Sequence, residues 1–135
     1  MSKKITDIEG IGPAFAEKLS KAQIRSVEKL LEKGATKSGR KQIAELSGVD
    51  ESKVLDWVNM ADLFRVKGVA SQFAELLKAS GVDTVKELKM RNPENLHNKM
   101  VEVNKSKHLT RVVPGVAQLD YFINQAKTLD PRITY

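Results

Sequence analysis

The sequence contains no cysteine and only two histidines. Without thiols the chain forms neither disulfides nor thiolate metal sites, and it has no cysteine nucleophile. His97 and His108 are too far apart for the i, i+4 spacing of a helical metal-binding pair, and no acidic motif nearby completes a set of ligands. We therefore expect no bound metal.

Motifs that mark catalytic sites are also lacking. There is no nucleophile elbow and no phosphate-binding loop ending in Gly-Lys-Ser/Thr, and the acidic residues are scattered without a paired arrangement. The sequence therefore predicts a protein that is not an enzyme, with no catalytic residues and no cofactor.

Long apolar runs are missing as well. No run approaches the ~20 residues that span a bilayer. The first residues are partly basic, but no hydrophobic stretch follows them, so they do not form a signal peptide. We expect a cytoplasmic protein with no membrane partner, and the lack of cysteine fits a reducing compartment.

Aromatic residues make up 5% of the chain: one Trp, two Tyr and four Phe. Phe15, Trp57, Phe64 and Phe73 all fall on apolar stripes of helical period, where a core position is expected. Few rings are left to stack on unpaired bases, which disfavours a platform for single-stranded nucleic acid.

The chain has a surplus of positive charge. It carries 23 Lys and Arg against 17 Asp and Glu, a net charge of +6. Residues 1–65 hold 12 basic and 10 acidic side chains, and residues 66–135 hold 11 and 7. Such a surplus favours an anionic partner, nucleic acid first. A mixed surface that keeps the protein in solution explains the same charge equally well.

The most informative feature is internal similarity. Ile8–Leu19 aligns without a gap with Val66–Leu77, 58 residues later. The identical pairs are Gly10/Gly68, Phe15/Phe73, Ala16/Ala74, Glu17/Glu75 and Leu19/Leu77. The segment 57–61 resembles 122–126 at a shift of 65, which implies a short insertion near 109–117. We therefore expect two repeats, residues 1–65 and 66–135, packed as one globular unit.

Apolar residues recur with helical rather than alternating period throughout, as at Phe15, Leu19 and Ala22. We expect an all-α fold of about nine short helices, the longest over residues 50–65. Local signals set the predicted ends: Pro13 at a first helical position, Thr84 with Glu87 as a capping box, Asn92 as an N-cap, and Gly34 and Gly81 as helix stops.

Gly10-Ile11-Gly12-Pro13 separates a short helix over about residues 2–8 from a longer one over about 13–22. Glycine at both positions lets the backbone turn sharply and leaves no β-carbon in the way of a ligand. The amides at the start of the following helix lack partners and, with the helix dipole, form a site for a phosphate oxygen. Ile11 is expected to point inward and anchor the bend.

The run Ile8–Leu19, followed by Ala22, Ile24, Val27 and Leu30, resembles the helix-hairpin-helix motif of DNA-repair and replication proteins. The whole chain also resembles an uncharacterised bacterial family with this motif in duplicate. The resemblance implies two tandem helix-hairpin-helix repeats in one compact pseudo-twofold domain. It also implies that the Gly-hydrophobic-Gly hairpin contacts DNA phosphates without reading sequence.

The candidate nucleic-acid-binding residues lie at both hairpins: Gly10, Ile11, Gly12, Ala14, Lys18 and Lys21 at the first, and Gly68, Ala70 and Ser71 at the second. The second hairpin has Ala in place of the second glycine and Ser in place of Pro. Because the Ala methyl would crowd a phosphate, we expect the first hairpin to bind better and the second to be mainly structural. Two further basic clusters, 37–41 and 99–111, could assist.

Two functions stay open on the sequence. One is a non-enzymatic module that contacts the backbone of duplex or structured nucleic acid, either DNA or RNA. The other is a protein-interaction or dimerisation scaffold. In the second case the C-terminal helix, near 121–128, either closes the pair of repeats within one chain or packs on a neighbouring chain. The protein would then be a monomer or a homodimer.

Overall fold

The computed structural model describes residues 3–135. Over that range the chain forms one 3-10 helix and eight α-helices, and its only β-type pairing is an isolated antiparallel bridge between Lys4 and Ser26. The helices are η1 (Ile5–Asp7), α1 (Pro13–Ser20), α2 (Val27–Gly34), α3 (Lys37–Ser47), α4 (Glu51–Leu63), α5 (Ser71–Ala79), α6 (Val85–Leu88), α7 (Pro93–Lys107) and α8 (Val116–Lys127). The predicted all-α class is confirmed.

The chain divides into two compact units. The first unit comprises Met1–Asp62 with Arg132–Tyr135, and the second comprises Leu63–Pro131. The tail 132–135 therefore belongs to the first unit although it follows α8 in sequence. Its position is fixed by the Thr134 N–H, which donates a hydrogen bond to the Ala35 carbonyl oxygen at 2.8 Å.

Elements follow one another in the same order in the two units. A short turn leads into α1 in the first unit and α5 in the second, and three further helices follow in each. Residues 108–115 connect α7 to α8, whereas only residues 48–50 connect α3 to α4. The α7–α8 connection includes most of the segment predicted to hold an insertion, and α7 is also longer than α3.

The longest helix is α7, with 15 residues, and not α4, with 13. The Asn92 side chain fixes the start of α7 by accepting hydrogen bonds from the amides of Glu94 and Asn95. His108, in the left-handed conformation, ends it. The predicted longest helix was wrong because α4 stops at Leu63, where the turn before the second hairpin begins. Within residues 3–135 no helix is both long and apolar enough to span a bilayer.

Most helix starts follow local sequence signals. Pro13 occupies the first position of α1, as predicted. The Ser26 side chain caps α2 and that of Thr36 caps α3, each by accepting a backbone N–H. Thr84 accepts the Glu87 N–H in the same way, but the Glu87 carboxylate lies 3.6 Å from the Arg91 guanidinium. The structure thus shows one of the two hydrogen bonds of the predicted capping box, the one that the Thr84 hydroxyl oxygen accepts from the Glu87 N–H.

Two glycines expected to stop helices do different things. Gly81 has φ +93°, so it ends α5 as predicted. Gly34 is the last residue of α2, and the following Ala35 is still helical with φ −62°. A β-carbon on Gly34 would collide with the Val58 side chain. Gly34 therefore ends α2 as predicted, but without a positive φ, and its lack of a β-carbon lets α2 and α4 approach closely.

Each unit buries its own apolar side chains. The first unit buries, among others, Ile8, Ile11, Leu19, Ile24, Leu30, Ile43, Val54, Trp57 and Val58. The second buries Val66, Val69, Leu76, Leu77, Val82, Leu88, Leu96, Met100, Leu119 and Phe122. Each such side chain contributes about 1.5–3 kcal/mol relative to exposure. Phe15 and Phe73, predicted as core residues, are only half-buried.

Candidate nucleic-acid interface

The first hairpin begins with a β-turn over residues 8–11. The Ile11 N–H donates to the Ile8 carbonyl oxygen at 3.1 Å, and Gly10, the third residue, has φ +94°. A positive φ at the third position is typical of type II turns and favours glycine. Ile8 and Ile11 are both buried, so they anchor the turn from inside. The inward position expected for Ile11 is the one observed.

Gly12 has a different role from Gly10. It is the N-cap of α1 with φ −90° and ψ −172°, an extended conformation that any residue adopts. Apart from its two chain neighbours, no atom of residues 3–135 lies within 4 Å of where its β-carbon would be. The expectation that both glycines shape the bend was therefore wrong, because Gly10 alone requires glycine. Gly12 leaves open space in front of the helix start.

The start of α1 presents free amide groups. The first backbone bond of the helix runs from the Ala16 N–H to the Gly12 carbonyl oxygen at 2.9 Å, and Pro13 has no N–H. Among the residues that the structure describes, the amides of Gly12, Ala14 and Phe15 have no acceptor. Gly12 and Ala14 are exposed. Two exposed donors and the positive end of a helix dipole therefore face solvent here.

The short helix predicted before the hairpin, over about residues 2–8, is observed as the 3-10 helix η1 (Ile5–Asp7). Its predicted start at Ser2 lies outside the described residues.

Two lysines converge on the Phe15 ring. The Lys18 Nζ lies 5.6 Å from the ring centroid, and the Lys53 Nζ, from α4, lies 5.3 Å from it. Since Phe15 is in the first turn of α1, these ammonium groups lie beside the helix start. Lys21, by contrast, is the C-cap of α1, about 13–14 Å along the helix from Gly12. The structure brings Lys18 to the candidate site and leaves Lys21 at the opposite end.

Sequence analysis missed Lys53. It lies one helical turn before Trp57 and far from the hairpin in sequence, so no local pattern connects it with Gly12. A signal was available in the alignment at a shift of 65. That alignment places Gln118 opposite Lys53, so the two units differ in charge at this position.

The Trp57 side chain covers the first hairpin. Its ring packs edge-on to Phe15, with centroids 5.1 Å apart at 66°. Its Nε1 atom is the nearest atom to the β-position of Gly10, at 3.7 Å. The residue is 5% exposed. Trp57 therefore contacts both the hairpin backbone and Phe15, the ring on which the two lysines converge.

The second hairpin repeats this backbone closely. Gly68 also has φ +94°, the Val69 N–H donates to the Val66 carbonyl oxygen at 3.1 Å, and Ala70 caps α5 with φ −110° and ψ −174°. The Ser71 residue follows at the first helical position and is half-buried. Within residues 3–135, no side-chain hydrogen bond caps the start of α5 at Ala70.

Side chains around the second hairpin are much less able to bind an anion. A buried Leu76 stands where the first unit has Lys18, and Phe122 packs on Gly68 where Trp57 packs on Gly10. One difference makes the second hairpin more positive, since Lys67 occupies the position that Glu9 has in the first. The Lys67 backbone is held by Gln125, whose side chain bonds both its N–H and its carbonyl oxygen.

The basic cluster at 37–41 is not the surface that the sequence suggested. The Arg40 side chain is buried, and its guanidinium donates to the carbonyl oxygens of Gly34 at 2.8 Å, Ala35 at 3.2 Å and Thr134 at 2.7 Å. It holds the tail of the chain, so it is not available to a ligand. Lys37 and Lys41 remain exposed. The interpretation of Arg40 as an assisting cation was wrong.

Acidic groups near the first hairpin are Glu9, on the turn, and Glu17, in α1, and both are exposed. No group of three or more His, Asp or Glu side chains in the described part of the chain is arranged to hold a metal ion. Apart from these two carboxylates, the hairpin presents hydrogen-bond donors and ammonium groups, which suit the binding of an anion.

Comparison with known proteins identifies the family. A model of the family described as a domain of unknown function, DUF4332, matches residues 9–129. That match includes both hairpins and all eight α-helices. No curated protein and no solved structure matches the chain. Because the match covers most of its length, the chain belongs to the DUF4332 family.

Proposed function

We propose that this protein consists of two tandem helix-hairpin-helix repeats and is a non-enzymatic module that binds the phosphate backbone of nucleic acid through the first hairpin. The repeat assignment is supported by the matched turns at Gly10 and Gly68 and by the common order of elements. Backbone amides at a helix start, with lysines beside them, are the donors that phosphates prefer.

The observation that carries the proposal is the contrast between two hairpins of nearly the same backbone. Around the first, the open N-cap Gly12 is accompanied by Lys18 and Lys53. Around the second, the corresponding N-cap carries a methyl group, and the two lysines are replaced by Leu76 and Gln118. Since the two backbones are similar, the extra ammonium groups and the open N-cap of the first hairpin suit a ligand rather than the fold.

The donor set also favours a particular class of nucleic acid. Amide and ammonium groups contact phosphates and carry no sequence information by themselves. Phe15 and Trp57 pack on one another, so they are not free to stack on unpaired bases. We therefore propose sequence-independent binding to duplex or structured nucleic acid in the cytoplasm.

The test is binding of a short fluorescent duplex of arbitrary sequence, measured by anisotropy at several salt concentrations. Gly12→Val is the main variant because the space in front of Gly12 is empty, so the fold should be retained, which circular dichroism checks. Ala70→Val is the matched control in the second hairpin. We expect Gly12→Val to weaken binding at least tenfold and Ala70→Val to leave it unchanged. No binding by the unaltered protein at low salt, or equal binding by Gly12→Val, would reject the proposal.

A protein-docking role is the second candidate, and it rests on the second unit. Val112, Val116 and Tyr121 are large apolar side chains exposed on α8 and the connection before it. Light scattering tests whether a second copy of the chain docks on this surface. A mass above that of one chain, rising with concentration and lowered by Tyr121→Ser, would support it. A strictly monomeric mass at high concentration would exclude it.

A further inference from the structure

The indole of Trp57 is largely buried, but its Nε1–H remains accessible to solvent or to a ligand. Trp57 is 5% exposed. An indole that is buried to this extent normally finds an acceptor for its N–H. Within residues 3–135 the Trp57 Nε1–H donates no hydrogen bond. The Trp57 ring packs edge-on to Phe15, and the Nε1 atom itself faces the backbone of Gly10.

The location of this donor connects it with the first hairpin. Nε1 lies 3.7 Å from the β-position of Gly10 and is the one atom within 4 Å of that point. Gly10 is exposed, and two residues later the chain reaches the exposed Gly12, with its unpaired amide. An oxygen atom of a ligand at this turn would supply the acceptor that the protein itself does not provide.

The Trp57 ring packs on Phe15, and two ammonium groups lie over the Phe15 ring. These groups, from Lys18 and Lys53, lie within 5.6 Å of the Phe15 centroid. In the second unit Phe122 takes the same place on Gly68 without any donor. An indole is therefore not required to cover a hairpin glycine, and a phenyl ring serves for packing.

We infer that Trp57 is a ligand-binding residue of the first hairpin and that its Nε1–H donates a hydrogen bond to a phosphate oxygen held there. This inference rests on the proposed function because it places the ligand at the same hairpin. Phosphodiesters within a strand and terminal phosphates offer the same oxygen chemistry, so the experiment separates these sources.

The direct test is the indole N–H resonance of ¹⁵N-labelled protein. Trp57 is the only tryptophan, so the spectrum contains a single such signal. It is followed during addition of inorganic phosphate, of a duplex without terminal phosphates, and of the same duplex with 5′-phosphates. We expect the duplex without terminal phosphates to move the signal downfield and to slow its exchange with water. A response only to the 5′-phosphorylated duplex or to inorganic phosphate would assign the contact to a terminal or free phosphate.

The same spectra distinguish the two hypotheses. If the amides of Gly12 and Ala14 respond to the duplex and the indole signal stays in place, the role of Trp57 is rejected while the proposed function stands. If none of these signals responds to any of the three ligands, both are rejected.

Affinity provides a second measurement. Trp57→Phe introduces the residue type found at position 122, so it preserves an aromatic ring near Gly10 while it removes the N–H donor and part of the ring volume. We expect duplex binding to weaken about tenfold or more, which is the usual effect of losing a hydrogen bond to a charged group. Phe122→Leu, in the second unit, should leave binding unchanged. Unaltered affinity in a folded Trp57→Phe protein would overturn the inference.

Discussion

Phe122 lies directly against the backbone of Gly68, so that a β-carbon at Gly68 would stand 2.9 Å from the Phe122 Cε1 atom. The corresponding distance in the first unit, from the β-position of Gly10 to the Trp57 Nε1, is 3.7 Å. Both glycines have the same positive φ, so the two sites differ in the space above them and not in the backbone.

Alanine substitutions at these glycines should therefore differ in cost. Gly10→Ala should lower the free energy of unfolding by about 1–2 kcal/mol, because an L side chain is strained at positive φ. Gly68→Ala should cost about 1–3 kcal/mol more, because the methyl group also displaces the Phe122 ring. Urea unfolding followed by circular dichroism measures both. Equal losses in the two variants would show that the ring at Gly68 yields freely.

Lysines at the first hairpin should determine the salt dependence of binding. Lys18→Gln and Lys53→Gln should each reduce the slope of log K against log salt by about 0.9 on duplex DNA, because each removes one phosphate contact. Lys86→Gln is the control, since Lys86 is an exposed lysine on α6 of the second unit. A slope unchanged in both hairpin variants would mean that these ammonium groups do not contact phosphate.

Glu9 should weaken binding at the same hairpin. It is exposed on the turn next to Gly10, where a carboxylate repels a phosphate. Glu9→Gln should raise the affinity for duplex severalfold at low salt, and the gain should shrink as salt screens the charge. The salt titrations already described measure this effect. The matched substitution in the second unit, Lys67→Gln, should not change affinity.

Ser80 carries a buried hydroxyl group that has no hydrogen-bond partner in the part of the chain that the structure describes. Ala22 occupies the corresponding position of the first unit. Ser80→Ala should therefore be neutral or should raise the free energy of unfolding by about 0.5–1 kcal/mol, because it removes an unsatisfied polar group. Ser47→Ala is the contrasting variant, since that buried hydroxyl donates to the Ile43 carbonyl oxygen and accepts the Val49 N–H. It should lose about 1 kcal/mol, and thermal unfolding of both compares them.

Arg40 should be important for stability and not for binding. Arg40→Ala leaves the carbonyl oxygens of Gly34, Ala35 and Thr134 without their donor, and we expect a loss of about 2–4 kcal/mol. Arg40→Lys should restore little of it, because an ammonium group does not reproduce the planar arrangement of donors. Urea unfolding measures the loss. A loss below about 0.5 kcal/mol would show that the tail is not held by this residue.

Local signals in the sequence were sufficient for part of the fold. The helical class, the Asn92 cap and the inward side chain of Ile11 all follow from patterns within a few residues. The turn at Gly10 follows in the same way, since its hydrogen bond joins residues only three apart.

Other features depend on residues that are distant in sequence. Arg40 looks like a surface cation until the tail at Thr134 returns to it, and Gly34 looks like no more than a helix stop until Val58 packs against it. Lys53 reaches the hairpin only because α4 packs beside Phe15. A single sequence contains no local signal for such contacts, which is why the role of Arg40 was predicted wrongly and the contacts of Gly34 and Lys53 were missed.

The central claim is that a nucleic-acid phosphate contacts the open helix start at Gly12. The most direct measurement follows the backbone amide signals of ¹⁵N-labelled protein during titration with a short duplex at low salt. The account predicts large, saturable shifts at Gly12 and Ala14, with little change at the matched positions Ala70 and Gln72 of the second hairpin. Signals that move equally at both hairpins, or at neither, would contradict it.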